Sequence, residues 1–118
     1  MMIQRQQWIF GERVLIIDEQ YHGSVILDFP KDAKGKANIS ADAFLYSLWV
    51  DKDFRDTGVA KGLMRTVEQI AKEKGVQTIS LEWDRREAPL WVFNWYVRLG
   101  YEEKELGRTN SLLVKKIV

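Results

Sequence analysis

The chain has 118 residues, with 18 Lys and Arg against 17 Asp and Glu, no cysteine and one histidine. A disulfide framework, a Cys-ligated metal centre, a thiol nucleophile and a His-rich metal site are excluded, so no metal is expected. A formal charge of +1 supplies no global basic field, so neither nucleic acid nor a membrane is expected as a partner.

In chain order, Gln7-Trp8-Ile9-Phe10 reads as a short edge strand ended by Gly11. Val14-Leu15-Ile16-Ile17 is apolar and mostly β-branched, and Ser24-Val25-Ile26-Leu27-Asp28-Phe29 is a second strand stopped by Pro30. The turn signal Tyr21-His22-Gly23 between them predicts a hairpin. Lys31 to Ser40 is polar with a glycine and reads as a loop or a hairpin tip. Ala43 to Val50 is apolar almost throughout, which predicts a central strand covered on both faces.

The period then changes. Val59, Ala60, Leu63, Met64, Val67, Ile70 and Ala71 recur at helical spacing, and Gly75 is a natural stop. Val76 to Trp83 reads as a strand. Pro89 opens a second helix, with Trp91, Val92, Trp95, Tyr96 and Leu99 as its buried stripe and Gly100 as its end. Tyr101 to Leu106 and Ser111 to Val118 read as two last strands joined by Gly107-Arg108-Thr109-Asn110. Strands with interspersed helices predict a single domain, 1–118, of α/β or α+β class. The N-terminus lacks a continuous apolar segment of signal type, so a cytoplasmic protein is expected.

The segment Val50 to Leu63 carries the chemistry. A strand ends, a polar turn follows, and the small residues Gly58, Ala60 and Gly62 sit where a helix begins. The first N–H groups of a helix have no intrahelical partner and carry its positive dipole end, a geometry suited to phosphates. Lys52, Arg55 and Lys61 add local positive charge. The turn is not a P-loop, because Lys61 is followed by Gly62 and Leu63, and the G-x-G-x-x-G dinucleotide spacing is absent. The plain alternative is that Gly58 and Gly62 only ease a turn and a close helix–sheet contact.

Leu48-Trp49-Val50, then Arg55-Asp56-Thr57-Gly58-Val59-Ala60, then Leu63, resembles the acetyl-CoA motif of the GNAT N-acetyltransferase superfamily. Trp95-Tyr96-Val97-Arg98-Leu99-Gly100-Tyr101 is similar to the family's aromatic-Tyr-x-x-x-Gly-Phe/Tyr signature. The resemblance covers Ala43 to Tyr101. It implies a mixed, mostly antiparallel twisted sheet of about six or seven strands with two main helices. It also implies acetyl-CoA as acyl donor, held at Leu48, Val50, Arg55, Asp56, Thr57, Gly58, Val59, Ala60 and Lys61. Backbone N–H groups of residues 56 to 61 would hold the pyrophosphate, pantetheine would lie where the strand of Val50 splays from that of Thr78 to Trp83, and an N–H near Val50 would polarise the thioester carbonyl. Tyr96 falls on the family's frequent general acid; its other reading is a core aromatic. Glu82 falls where related N-terminal acetyltransferases carry a catalytic Glu, with Asp84 the neighbouring candidate and a solvated strand-end carboxylate the alternative for both.

The chain departs from the family pattern in three ways. No Asn precedes the second helix in Asp84-Arg85-Arg86-Glu87-Ala88-Pro89, that stretch is slightly long, and only Gly11-Glu12-Arg13 separates the first two strands where the family has two acceptor-site helices. The leading expectation is an acetyl-CoA-dependent N-acetyltransferase acting by direct transfer on a small-molecule or peptide amine. The alternative is a non-catalytic acyl-CoA-binding or regulatory module, and a third reading is a structural protein that assembles through its aromatics. The missing helices predict a homodimer through Trp8, Phe10 or the last strand. His22, in a turn and without a companion, reads as a surface residue rather than a triad member.

Overall fold

The computed structural model describes residues 1–118. The elements are β1 (Met2–Trp8), β2 (Gly11–Ile17), β3 (Gly23–Pro30), α1 (Ala33–Ile39), β4 (Ala43–Val50), α2 (Val59–Lys74), β5 (Thr78–Asp84), α3 (Leu90–Arg98), β6 (Glu102–Leu106) and β7 (Asn110–Lys116). A short 3-10 turn, Lys52–Phe54, lies between β4 and α2. All seven strands form one sheet in the order β1-β2-β3-β4-β5-β7-β6. Every neighbouring pair is antiparallel except β4 and β5, which run parallel.

One face of the sheet is apolar because alternate residues of each strand share a side. The register pairs Val14 with Leu27, Ile16 with Val25, Leu27 with Leu45, Ala43 with Ile79 and Leu81 with Leu113. All of these are buried in one core with Leu63, Met64, Val67, Ile70 and Ala71 of α2. The three- and four-residue spacing of the α2 residues is what turns them all to the sheet. α3 joins the same face through Phe93, whose ring meets Trp83 edge-on at 5.1 Å. Truncating Leu63, which is fully buried, would cost about 2–5 kcal/mol.

The opposite face carries Arg13, Asp28, Phe44, Tyr46, Ser80 and Glu82, and α1 at one end. Ser80 Oγ donates to the carbonyl of Ile39 at the end of α1, 2.7 Å away. Only Ile9 and Phe10 link β1 to β2, so no helix covers this face from that side. Trp8 lies under the Arg13 guanidinium, 3.9 Å from the ring centre, while Phe10 is exposed.

Four sequence-based expectations are corrected. β1 begins at Met2, not Gln7; Gln4 and Gln6 pair with Leu15 and Arg13, and a solvated edge strand needs no apolar alternation. Residues 31–40 are not a loop, because Asp32 caps α1 by accepting the N–H of Gly35 at 2.9 Å. No α1 residue is buried, which is why periodicity failed to reveal it. The far half of β4 is not covered on both faces, for Ser47 and Trp49 are exposed. Trp91 is likewise exposed, and Phe93 takes its place in the buried stripe of α3.

Candidate functional site

The parallel pair β4 and β5 is joined at one end only. Pairing is confined to Ala43 with Ile79 and Phe44 with Ser80. Beyond Phe44 the two strands separate. Ser47, the one polar residue in this run, adopts φ 54°, and the register against β3 shifts between Ser24 and Ile26. An irregularity of this kind bends a strand and ends its pairing. The β5-facing edge of β4 from Leu45 onward therefore has no strand to pair with.

The wedge opens toward the start of α2. Asp56 and Gly58 both have positive φ, 64° and 90°, and successive turns of that hand gather N–H groups into a concavity. Gly58 is the N-cap and provides no side-chain cap. The first hydrogen bond of α2 runs from Gly62 N to Gly58 O, at 3.0 Å, so the N–H groups of Val59, Ala60 and Lys61 have no backbone acceptor. Arg55, Asp56, Thr57, Gly58 and Lys61 are exposed, while Val59 and Ala60 are partly buried. The Thr57 hydroxyl donates to the carbonyl of Phe54, which fixes the turn. A Cβ at Gly58 would meet nothing within 4 Å, so the space beside this turn is open. Position 62 differs from expectation: a Cβ there would meet the Met1 side chain at 3.2 Å, so Gly62 serves packing.

A cavity of about 240 Å³ lies in the wedge. Tyr96 of α3, Glu82 of β5, and Leu48 of β4 all line it. Tyr96 is buried, and burial pushes its phenol up to about 12. It is thus protonated at any physiological pH, and its hydroxyl bonds to no other group of the chain. Glu82 is exposed on the face opposite α2, and its Oε2 accepts from Asn110 Nδ2 at 3.1 Å. Thr109 Oγ1 donates to Asn110 Oδ1 at 2.9 Å, which turns the amide nitrogen toward Glu82.

Asp84 behaves differently. It accepts from Arg86 through the backbone N–H at 2.8 Å, Nε at 3.1 Å and Nη2 at 2.9 Å. The Arg86 side chain, then its N–H, holds the carboxyl below the usual aspartate range. A carboxylate so engaged is a poor proton acceptor, which leaves Glu82 as the carboxylate of this pair that is free of a cation.

Val50 pairs with Gly23 at the end of β4, and Asp51 N donates to the carbonyl of His22 at 2.6 Å. His22 stacks on Phe54 at 3.3 Å between ring centres, so it supports the turn before α2. Asn110 and Ser47 were not anticipated. Ser47 had a signal, as the polar break in an apolar strand; Asn110 had none, being 28 residues from Glu82. A larger cavity of about 410 Å³ lies between α1 and the β1–β2 turn. It holds neither Tyr96 nor Glu82, and chemistry decides for the smaller one.

The family model described as Acetyltransferase (GNAT) family matches residues 6–101. An uncharacterized N-acetyltransferase of Methanocaldococcus jannaschii is 33% identical over 82 residues, 64% of this chain and 32% of that relative. The chain thus spans about a third of the length of this curated relative. The PaiA N-acetyltransferase of Thermoplasma acidophilum, solved in complex with coenzyme A, has a TM-score of 0.68 at 18% identity, covering 88% of this chain and 59% of that one. An acetyltransferase from Bacillus cereus has a TM-score of 0.66 at 21% identity, covering 97% and 74%. At these identities the solved structures bear on the fold alone.

Proposed function

The chain belongs to the GNAT acetyltransferase family, and from that premise we propose that it is an acetyl-CoA-dependent N-acetyltransferase acting by direct transfer on a primary amine. The observation that carries this reading is the one-ended β4–β5 pair. It opens a wedge with unpaired helix N–H groups at one side and Tyr96 with Glu82 around one cavity.

In this reading the N–H groups of residues 56 to 61 hold the pyrophosphate, with Arg55 adding charge. Pantetheine follows the unpaired edge of β4 past Leu48 and Val50, where an N–H stabilises the developing oxyanion. Glu82 takes a proton from the acceptor ammonium, directly or through water. The freed nitrogen lone pair attacks the thioester carbonyl carbon. The tetrahedral intermediate collapses: the C–S bond breaks, Tyr96 gives its proton to the sulfur, and the proton shed from nitrogen passes through water to the Tyr96 oxygen. The products are the amide, CoA thiol and one net proton.

The two-residue β1–β2 link, which leaves the acceptor face bare, favours a second reading: a module that binds acyl-CoA without turnover. Thermal shift with acetyl-CoA and thiol release with an amine panel separate the two. Acetyl-CoA binding with amine-dependent thiol release is expected. Binding without release supports the second reading, and no binding removes both.

A further inference from the structure

Residues 52–58 form the turn that leads into α2, and few groups tie them to the rest of the fold. Lys52, Asp53 and Arg55 to Gly58 are all exposed; Phe54 alone is partly buried. The bonds inside the turn are local. Phe54 N donates to the carbonyl of Asp51 at 2.9 Å, Asp53 N to Asp51 Oδ1 at 3.1 Å, and the Thr57 hydroxyl to the carbonyl of Phe54.

His22, from the turn between β2 and β3, holds this segment twice. Asp51 N donates to the His22 carbonyl at 2.6 Å. The His22 ring lies on the Phe54 ring, with 3.3 Å between centres and 10° between planes. His22 is itself fixed: its N–H and that of Gln20 donate to Asp18 Oδ2 at 3.3 and 3.2 Å, and Asp18 N donates to the carbonyl of Gly23 at 2.9 Å. Tyr21 takes φ 61°, a left-handed value uncommon for an aromatic residue. Such strain persists where the surroundings over-determine the backbone. Gly23 seats the same turn against α2. A Cβ there would meet the Trp49 carbonyl oxygen at 2.7 Å, Val59 Cγ1 at 3.0 Å and Leu63 Cδ1 at 3.2 Å. Tyr21-His22-Gly23 thus braces the end of β4, the Phe54 anchor and the first turn of α2 together.

We propose that His22 is a positioning residue for acyl-CoA: by clamping Phe54 it sets the backbone of residues 56 to 61 against the pyrophosphate. This rests on the acyl-CoA reading above. His22 does not line the wedge cavity, so its effect passes through Phe54 and Thr57 and falls on the pyrophosphate end of the ligand alone.

The test uses the full chain with CoA and with pantetheine, which lacks the pyrophosphate, both followed by chemical-shift titration. His22→Leu keeps apolar bulk and removes the stack. It should weaken CoA by about three- to tenfold, the range of an aromatic pair, and leave pantetheine unchanged. His22→Phe restores the stack and should bring CoA back to the parent affinity. Phe54→Leu breaks the same stack from the other side, and joined to His22→Leu it should weaken CoA no further than either change alone. Should His22→Leu not fold, Phe54→Leu carries the comparison, with the same loss expected for CoA and none for pantetheine. Unchanged CoA affinity, equal loss of both ligands, a loss in His22→Phe matching that in His22→Leu, or additive losses in the double variant each overturn the positioning role while CoA binding stands. A parent chain that binds pantetheine as tightly as CoA has no pyrophosphate cradle, and one that binds neither fails the acyl-CoA reading itself; the positioning role falls with either.

Discussion

Asp42 and Thr78 lock the closed end of the wedge from both sides. Asp42 N donates to Thr78 Oγ1 at 3.0 Å, and Asp42 Oδ2 accepts from Thr78 N at 3.1 Å and from Thr78 Oγ1 at 3.2 Å. Gln77 N adds a third bond to the same carboxylate at 2.9 Å. These bonds sit immediately before Ala43 and Ile79, the first of only two ladder pairs between β4 and β5. Side chains thus replace the ladder that the wedge gives up.

Asp42→Ala is expected to destabilise the fold by about 1–3 kcal/mol at pH 7, since it strands backbone donors that a charged acceptor satisfied. The pH dependence has a definite sign. The Gln77 N–H, then those of Thr78, hold the Asp42 carboxyl below its usual value against an opposing effect of burial. A depressed folded value contributes stability above the unfolded value of about 3.9, lost as pH falls through the folded one. Urea denaturation of both proteins should show a gap that is full at neutral pH and narrows below about pH 4. A gap independent of pH would mean that Asp42 acts by packing.

Gly58→Ala separates strain from obstruction. Gly58 sits at φ 90°, and an added Cβ would meet nothing within 4 Å. Left-handed backbone costs an L-residue roughly 1–2 kcal/mol, so a modest loss of stability is expected without a steric clash. The methyl group would project into the space where phosphates approach the helix, and acetyl-CoA binding should weaken by roughly tenfold, about 1.4 kcal/mol. Calorimetry on a folded Gly58→Ala chain that returned the parent affinity would remove the pyrophosphate cradle from residues 56 to 61.

The sheet was legible wherever one face is apolar: β2, β3, β5 and β7 alternate, and α2 keeps helical spacing over its whole length. β1 and α1 were illegible for a shared reason. Gln4, Gln6 and Lys36 bury no stripe, so only pairing register and the Asp32 cap define those elements. The glycine turn before α2 and the start of that helix were readable, because Gly58 takes the positive φ that glycine favours and the apolar spacing begins at Val59. The Asn110 to Glu82 contact was not, because it joins β7 to β5 through the fold.

Glu82→Gln tests the base. The amide keeps the size and the Asn110 neighbour but cannot take a proton. kcat should fall by roughly a hundredfold at neutral pH and recover in part at alkaline pH, where the acceptor amine deprotonates unaided. Asp84→Asn should disturb the Arg86 clamp and affect kcat far less, because that carboxylate is already committed. A larger kcat loss in Asp84→Asn than in Glu82→Gln would reverse the assignment.

Tyr96 and Tyr101 form an internal control. Their rings meet at 6.1 Å, both are buried, and burial raises both phenols. They differ in what surrounds the hydroxyl. Tyr101 Oη is fully enclosed without a hydrogen-bond partner, whereas Tyr96 lines the cavity. Tyr101→Phe removes a buried polar atom that nothing satisfies, so stability should rise or stay within about 1 kcal/mol, with kcat unchanged. Tyr96→Phe likewise keeps its ring and its packing, so the fold should survive. Its kcat should drop by roughly a hundredfold with acetyl-CoA affinity retained, the pattern of an interaction made mainly in the transition state. With the Tyr96 phenol raised to about 12, turnover by the parent chain should show no alkaline loss from this acid below about pH 11. Equal turnover in both phenylalanine variants would return Tyr96 to the core and leave the departing thiolate without an assigned acid.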